Sequence, residues 1–279
     1  MTARFSIVWS SLRERGAKAT LRSISMYVCQ TFFDVQPDLV QRRYHLGQRL
    51  SHLLNATISY GPFAGTQLAA MNHWSAADRG SMLLGMYEKE VLAELVRLSE
   101  GRDILVDVGA ADGYYAIGSL TGGLVSQALC FELDTDGQRM ITLQAELNNV
   151  QDFVTVLGAA DECFVNSLGK HFPKGTDNCV FLIDIEGAEF ELLTYPVLEA
   201  ISPAPLIIEL HDFEPESRQA AESLIDRVSR YYDSTIIHQG DRNPNQFVEL
   251  KSWSDDDRWL LCSESRVTRM RWLVCEPKA

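Results

Sequence analysis

Residues 104–118 read ILVDVGAADGYYAIG. An apolar run carrying one acid, Asp107, breaks at Gly109 and passes Gly113 into a helical pattern. Strands of a parallel sheet are buried on both faces and read as near-continuous apolar runs. A strand that breaks into a glycine turn and then a helix leaves backbone N–H groups at the open end of the sheet, a geometry suited to a nucleotide-like ligand. Gly109 lets the chain turn sharply, and Gly113 lets backbone approach a ligand with no Cβ in the way.

The spacing separates two ligand classes. A dinucleotide turn is G-x-G-x-x-G, whose middle glycine gives the pyrophosphate close access to the backbone. Here the run is Asp107-x-Gly109-x-x-x-Gly113, with Ala111 where that glycine would stand. S-adenosylmethionine has no phosphate, and its methionyl ammonium can meet Asp107 directly or through water. The spacing therefore favours S-adenosylmethionine, with Asp107, Gly109, Ala110, Asp112 and Gly113 as the candidate cofactor-binding turn.

The rest of the chain alternates strand-like and helical stretches. Strands are expected at 104–108, 127–132, 153–157, 179–184, 205–210, 234–238 and 271–275, with helices near 136–148, 162–170, 187–200 and 215–231. Five βα units with apolar strands predict a parallel α/β sheet covered on both faces. The last two strands read as a hairpin-like pair around a polar insertion at about 239–268. Residues 1–80 read as a mostly helical N-terminal extension and 81–279 as the ligand-binding domain.

Ligands in open α/β sheets sit beyond the carboxyl ends of the strands. Glu132 closes the second strand about 25 residues past Asp107, near the roughly 20-residue spacing of a ribose-binding acid. Gly158, Ala159 and Ala160 leave room for a flat adenine, and Asp161 either accepts from its amine or caps the next helix. The fourth strand ends in Asp184-Ile-Glu186-Gly-Ala-Glu189. Three carboxylates so close call for a positive partner, a sulfonium, an amine or a metal ion, although a helix dipole also accommodates Glu186 and Glu189. Glu209-Leu-His211-Asp212 closes the fifth strand. His211 is a candidate general base, with Asp212 or Glu209 orienting its ring. Upstream, GMYEKE from Gly85 resembles the segment that often precedes such a glycine turn and covers the methionyl end of the cofactor. The likeness implies contacts of Tyr87 and Glu88 with its carboxylate and ammonium, the alternative being an amphipathic helix whose acids face water.

A net charge of −13 argues against nucleic acid as the principal partner. Basic residues nevertheless outnumber acids in residues 1–50. None of the six cysteines forms a C-x-x-C pair, so a zinc site is not expected, and their apolar surroundings suit a reducing, cytoplasmic setting. No apolar run reaches the length of a membrane span.

DVGAADGYY from Asp107, then Phe131-Glu132, IDIEGAE from Ile183 and IIELH from Ile207 follow in order. Together they resemble the FkbM-type methyltransferases of the class I S-adenosylmethionine-dependent enzymes, over residues 85–211. The resemblance implies a Rossmann-like seven-stranded sheet with an antiparallel last strand. It also implies methyl transfer to a hydroxyl of a sugar, natural product or other small molecule. On matching positions it places Asp107, Gly109 and Gly113 at the methionyl group, Glu132 at the ribose and Asp184 where cofactor meets acceptor. Asp112 stands where the family usually has asparagine, and residues past about 215 match nothing in it.

A hydroxyl acceptor needs a base or a metal to lower its pKa. His211 and Asp184 are the candidate catalytic residues. A magnesium-like ion on Asp184 with Glu209 or His211 is the other expectation. Two alternatives stay open: an NAD-dependent oxidoreductase, and a non-catalytic partner protein that keeps the fold.

Overall fold

The computed structural model describes residues 38–70, 76–264, 266 and 268–278. The expectations for the basic N-terminal arm, residues 1–37, lie outside the described residues. The chain divides into a unit of residues 1–42 and a unit of residues 43–279. Helix α1 (Leu39–Leu53) is followed by an irregular loop closed by a Thr57–Gln67 bridge. Two helices come next, α2 (Arg79–Leu83) and α3 (Lys89–Ser99). Between them the chain leaves helical conformation, with Gly85 and Glu88 both at positive φ. A Cβ on Gly85 would stand 2.2 Å from the Tyr60 carbonyl oxygen, so the close approach of the loop requires glycine.

The alternating part then runs β1 (Ile104–Val108), α4 (Tyr114–Thr121), β2 (Gln127–Phe131), α5 (Thr135–Leu147) and β3 (Val154–Leu157). It continues with α6 (Phe164–His171), β4 (Cys179–Ile183), α7 (Glu189–Leu192), α8 (Tyr195–Ile201) and β5 (Leu206–Glu209). Last come α9 (Pro215–Val228), β6 (Tyr232–His238), α10 (Asp255–Cys262) and β7 (Arg271–Pro277). The helix expected over 187–200 is two short helices, since Leu193 and Thr194 leave helical conformation and Pro196 opens the second.

The seven strands form one sheet in the order β3-β2-β1-β4-β5-β7-β6. β1 to β5 are parallel, and β7 runs antiparallel between β5 and β6. This is the Rossmann-like, seven-stranded arrangement expected from the sequence. Successive side chains point to opposite faces, as strand geometry requires. Leu105, Val180, Leu182 and Ile207 enter one buried layer with α3, while Val106, Phe181, Ile183 and Ile208 enter the other with α6, α8 and α9.

The 239–268 segment is polar in composition but not in packing. Phe247, Leu250, Trp253, Leu261 and Cys262 are buried in the first layer. Its spacing hid this, because Leu250 ends a single 3₁₀ turn, Leu261 and Cys262 end one short helix, and Phe247 and Trp253 lie between elements. Ser254 caps α10 by accepting from Asp257 N–H, and three aspartates fill its first turn, where the helix dipole favours them. Arg242 ties the segment to α3, bonding Glu90 at 2.7 and 2.8 Å and Glu264 at 2.7 Å. Among the described residues no helix is long and apolar enough to cross a membrane.

Register aligns the strand tips. Val108 stands opposite both Phe131 and Ile183, and Ile183 opposite Ile208. Gly109, Glu132, Asp184 and Glu209 therefore emerge side by side. Gly109 has φ +88°, and a Cβ there would lie 1.7 Å from the Asp184 carbonyl oxygen. Its glycine is needed first for backbone against backbone. Gly109→Val is expected to cost roughly 2–5 kcal/mol, combining left-handed strain with overpacking. Urea denaturation checks this, and an unchanged midpoint would show that the β1 and β4 tips part freely.

Candidate active site

A cavity of about 470 Å³ opens at the carboxyl ends of β1, β2 and β4, where the strand order reverses beside β1. Its wall includes Asp107, Gly109, Ala110, Ala111, Asp112, Glu132, Ala160 and Asp184, with Tyr87 and Tyr115 from the opposite side. Asp107 is 2% exposed, and its Oδ2 has no hydrogen-bond partner. Burial, with Asp184 close by, pushes its carboxyl up to about 8.

Four amides of the glycine turn are already bonded. Gly109 and Ala110 donate to the Phe131 carbonyl at 2.8 and 3.0 Å, and Gly113 donates to the Ala110 carbonyl at 2.7 Å. Ala111, at φ +47°, donates to Glu132 Oε2 at 2.7 Å. Glu132 Oε1 accepts from Asp134 N–H at 2.7 Å, so both carboxylate oxygens are fixed at the β2 tip, each with a lone pair to spare. Gly137 makes this possible: a Cβ there would lie 2.9 Å from Glu132 Cγ.

Four expected residues lie outside the cavity wall. Gly113 is required by its φ of +81° and by packing, since a Cβ would press on Ile117 and Ile141 within 3.4 Å, not on a ligand. Asp161 is exposed, and its Oδ1 accepts from Cys163 N–H at 2.8 Å in the turn before α6, whose N-cap is Cys163 and not Asp161. Glu88 is buried, accepts from the Tyr115 hydroxyl and pairs with Arg266. His211 lies behind the wall, next to Asp184.

Spacing gave no sign of Arg266, the one basic residue among the described residues of the wall. It pairs with Glu88, with Glu209 Oε1 at 3.2 Å and with Glu264 Oε2 at 3.5 Å, and its guanidinium lies 5.6 Å from the Tyr87 ring centre. A clamp on Glu88, Glu209 and Glu264 joins the 239–268 segment to the β5 tip.

At the β4 and β5 tips the acids cluster around one imidazole. Burial pushes Asp184 up to about 6, against the pull of His211, and burial beside Asp184 pushes Glu209 well up. Glu189 is fully buried. It accepts from Gly187 N–H at 2.8 Å, from His211 N–H at 3.1 Å and from His211 Nδ1 at 3.1 Å. A helix dipole is thus a minor part of its surroundings. His211 Nε2 faces Asp184 Oδ1 and Glu186 Oε2, each at 3.5 Å. Burial would lower the His211 pKa, but the bond to Glu189 and the neighbouring carboxylates outweigh it and raise it.

The wall carries acids and aromatic rings and lies at the switch point of the sheet, where the strand order reverses beside β1. No family model matches the chain, and no curated protein does. Similar solved structures include the O-methyltransferase from Bacillus cereus in complex with SAH, at 12% identity and TM-score 0.46, covering 91% of this chain and 97% of that one. Another is the O-methyltransferase TomG from Streptomyces achromogenes in complex with SAM, at 10% identity and TM-score 0.46, covering 91% and 96%. A third is a precorrin-6y C5,15-methyltransferase from Geobacter metallireducens, at 10% identity and TM-score 0.45, covering 68% and 87%.

The buried Asp107 gives a pH prediction. Its folded pKa of about 8 exceeds the unfolded value of 3.8. Its protonated form stabilises the fold fully below the unfolded pKa, and that contribution is lost as pH rises towards 8. The ligand-free chain should melt at progressively lower temperature from pH 5 to 8, and Asp107→Asn should flatten that fall. Equal falls in both proteins would place the responsible groups elsewhere.

Proposed function

We propose that this chain is an S-adenosylmethionine-dependent methyltransferase of the FkbM type, acting on a hydroxyl of a small molecule such as a sugar or natural product. The observation that carries this is the state of the glycine turn. Its amides at Gly109, Ala110, Ala111 and Gly113 are spent on backbone and on Glu132, so these four are not available to a pyrophosphate. Its wall offers carboxylates instead, at Asp107, Asp112, Glu132 and Asp184. That charge suits a ligand with an ammonium and a sulfonium, and it disfavours NAD.

The residues divide the work by position. The unpartnered Asp107 Oδ2 would receive the methionyl ammonium, directly or through water. Glu132, held from behind by two backbone amides, would accept from the ribose hydroxyls. Ala159 and Ala160 leave a flat space for the base, and Tyr87 and Tyr115 close the opposite side. When bound, the cofactor supplies a methyl group already activated by positive sulfur, so the protein's task is alignment and proton removal. Asp184, on the wall, stands 3.5 Å from His211, and we assign this pair to activation of the acceptor hydroxyl.

S-adenosylhomocysteine should bind with micromolar affinity, on the order of −8 kcal/mol. Calorimetry with no heat at millimolar ligand would overturn the assignment. Glu132→Ala should weaken binding by about 1.5–3 kcal/mol. Glu132→Gln should weaken it less, because the amide oxygen can still accept from Ala111 and hold the turn. Equal losses would mean that the carboxylate charge, not the turn, carries the effect. His211→Ala should slow turnover by about 10²–10⁴ with cofactor affinity nearly intact. A decrease of only a few-fold would make His211 structural.

A further inference from the structure

We propose that Asp184, Glu186 and His211 form a binding site for a divalent cation at the tips of β4 and β5. One ligand atom from each residue lies within 4.8 Å of the other two. The imidazole Nε2 stands 3.5 Å from Asp184 Oδ1 and 3.5 Å from Glu186 Oε2. Ligand atoms around one ion held at about 2.1 Å stand roughly 3.0–3.5 Å apart, so a rotation of the exposed Glu186 side chain completes the set.

The second observation is what surrounds the imidazole. The His211 ring is 8% exposed, and its hydrogen bond is at Nδ1, to the fully buried Glu189. A carboxylate behind Nδ1 fixes the proton there and turns the lone pair of Nε2 forward, the arrangement that holds metal-binding histidines in orientation. That nitrogen then faces two carboxylate oxygens outside hydrogen-bond geometry, and Asp184 Oδ1 is itself buried without a hydrogen-bond partner. Three electron-pair donors converge, and a proton on the imidazole is the positive charge that a cation would displace.

Glu209, the other acid expected to bind an ion, is committed to Arg266 through Oε1. Glu186 takes its place as the third donor, delivered by a backbone in left-handed conformation, φ +55°. Two carboxylates with one imidazole suit a first-row transition ion better than magnesium. On binding, the cation takes the Nε2 lone pair, and any proton held there goes to solvent. The existence of the site is independent of the methyltransferase reading. Its use, to lower the pKa of an acceptor hydroxyl beside Asp184, rests on that reading.

The test is titration of the full chain, without cofactor, with Mn²⁺, following the free Mn²⁺ signal by electron paramagnetic resonance. One equivalent should bind per chain, and Mg²⁺ should displace it only in large excess. Glu186→Gln, a surface change that leaves folding intact, should weaken binding at least about tenfold, as should His211→Gln. Glu189→Gln, which alters only the group behind the ring, should weaken it by about 10–100-fold. Glu249→Gln, an acid paired with Tyr60 instead, should change nothing. Free Mn²⁺ matching the buffer blank, or undiminished affinity in Glu186→Gln, overturns the site. S-adenosylhomocysteine binding is measured separately by calorimetry. Its loss with Mn²⁺ binding retained removes the methyltransferase reading alone, and the reverse result removes the cation site alone.

Discussion

The tips of β1 and β4 meet backbone to backbone, and the rest of the site depends on that contact. The Asp184 carbonyl occupies the space where any side chain at residue 109 would begin. Asp184 N–H in turn donates to the Val108 carbonyl at 2.9 Å, extending the ladder one residue beyond the strand. Gly109 can therefore leave the sheet at once, with φ +88°, and Asp184 is carried to within reach of the same cavity. A bulkier residue would separate the cofactor-side turn from the acids of β4. The two halves of the site are close because one Cβ is missing.

That closeness creates a charge problem. Asp107, Asp184 and Glu209 emerge on three adjacent strands, and burial raises the pKa of each. Taking charges out of water is costly unless they are paired. Glu209 is paired with Arg266, Asp184 leans on His211, and Asp107 has no hydrogen-bond partner at Oδ2. The site is thus graded. Its β5 side is neutralised by protein groups, and on its β1 side Asp107 is held without a countercharge, its carboxyl raised by burial to about 8. An anionic ligand gains nothing from that gradient, which is the electrostatic counterpart of the spent amides in the turn.

Much of this was legible in the sequence because it is written locally. Apolar runs marked β1 to β5, and parallel register brought Asp107, Glu132, Asp184 and Glu209 to one edge. The place of Glu132 at the β2 tip followed from the end of an apolar run. What escaped depended on tertiary contacts. Arg266 lies 57 residues from Glu209 along the chain, and nothing in its own neighbourhood marks it as the basic residue of the wall. Gly137 reads as an ordinary helix residue until a Cβ there is seen to meet Glu132. Asp161 and Gly113 show the opposite failure. Both sit where a ligand contact is expected, but local demands claim them, a turn ahead of a helix for one and helix packing for the other.

Glu189 shows how a bland reading and a functional one can be separated by geometry. An acid in the first turn of a helix needs no partner beyond the dipole, and the four-residue α7 offers only a small one. The structure instead buries Glu189 completely and gives it three donors: Gly187 N–H, His211 N–H and His211 Nδ1. The positive φ values of Glu186 and Gly187 fold the loop back so that this carboxylate reaches the β5 tip. That conformation is strained at a non-glycine residue. The strain is held where the chain must present Glu186 outward and Glu189 inward within a single short loop, one on each side of the same imidazole. A loop needed only to join β4 to a helix would have no reason to place carboxylates on both nitrogens of His211.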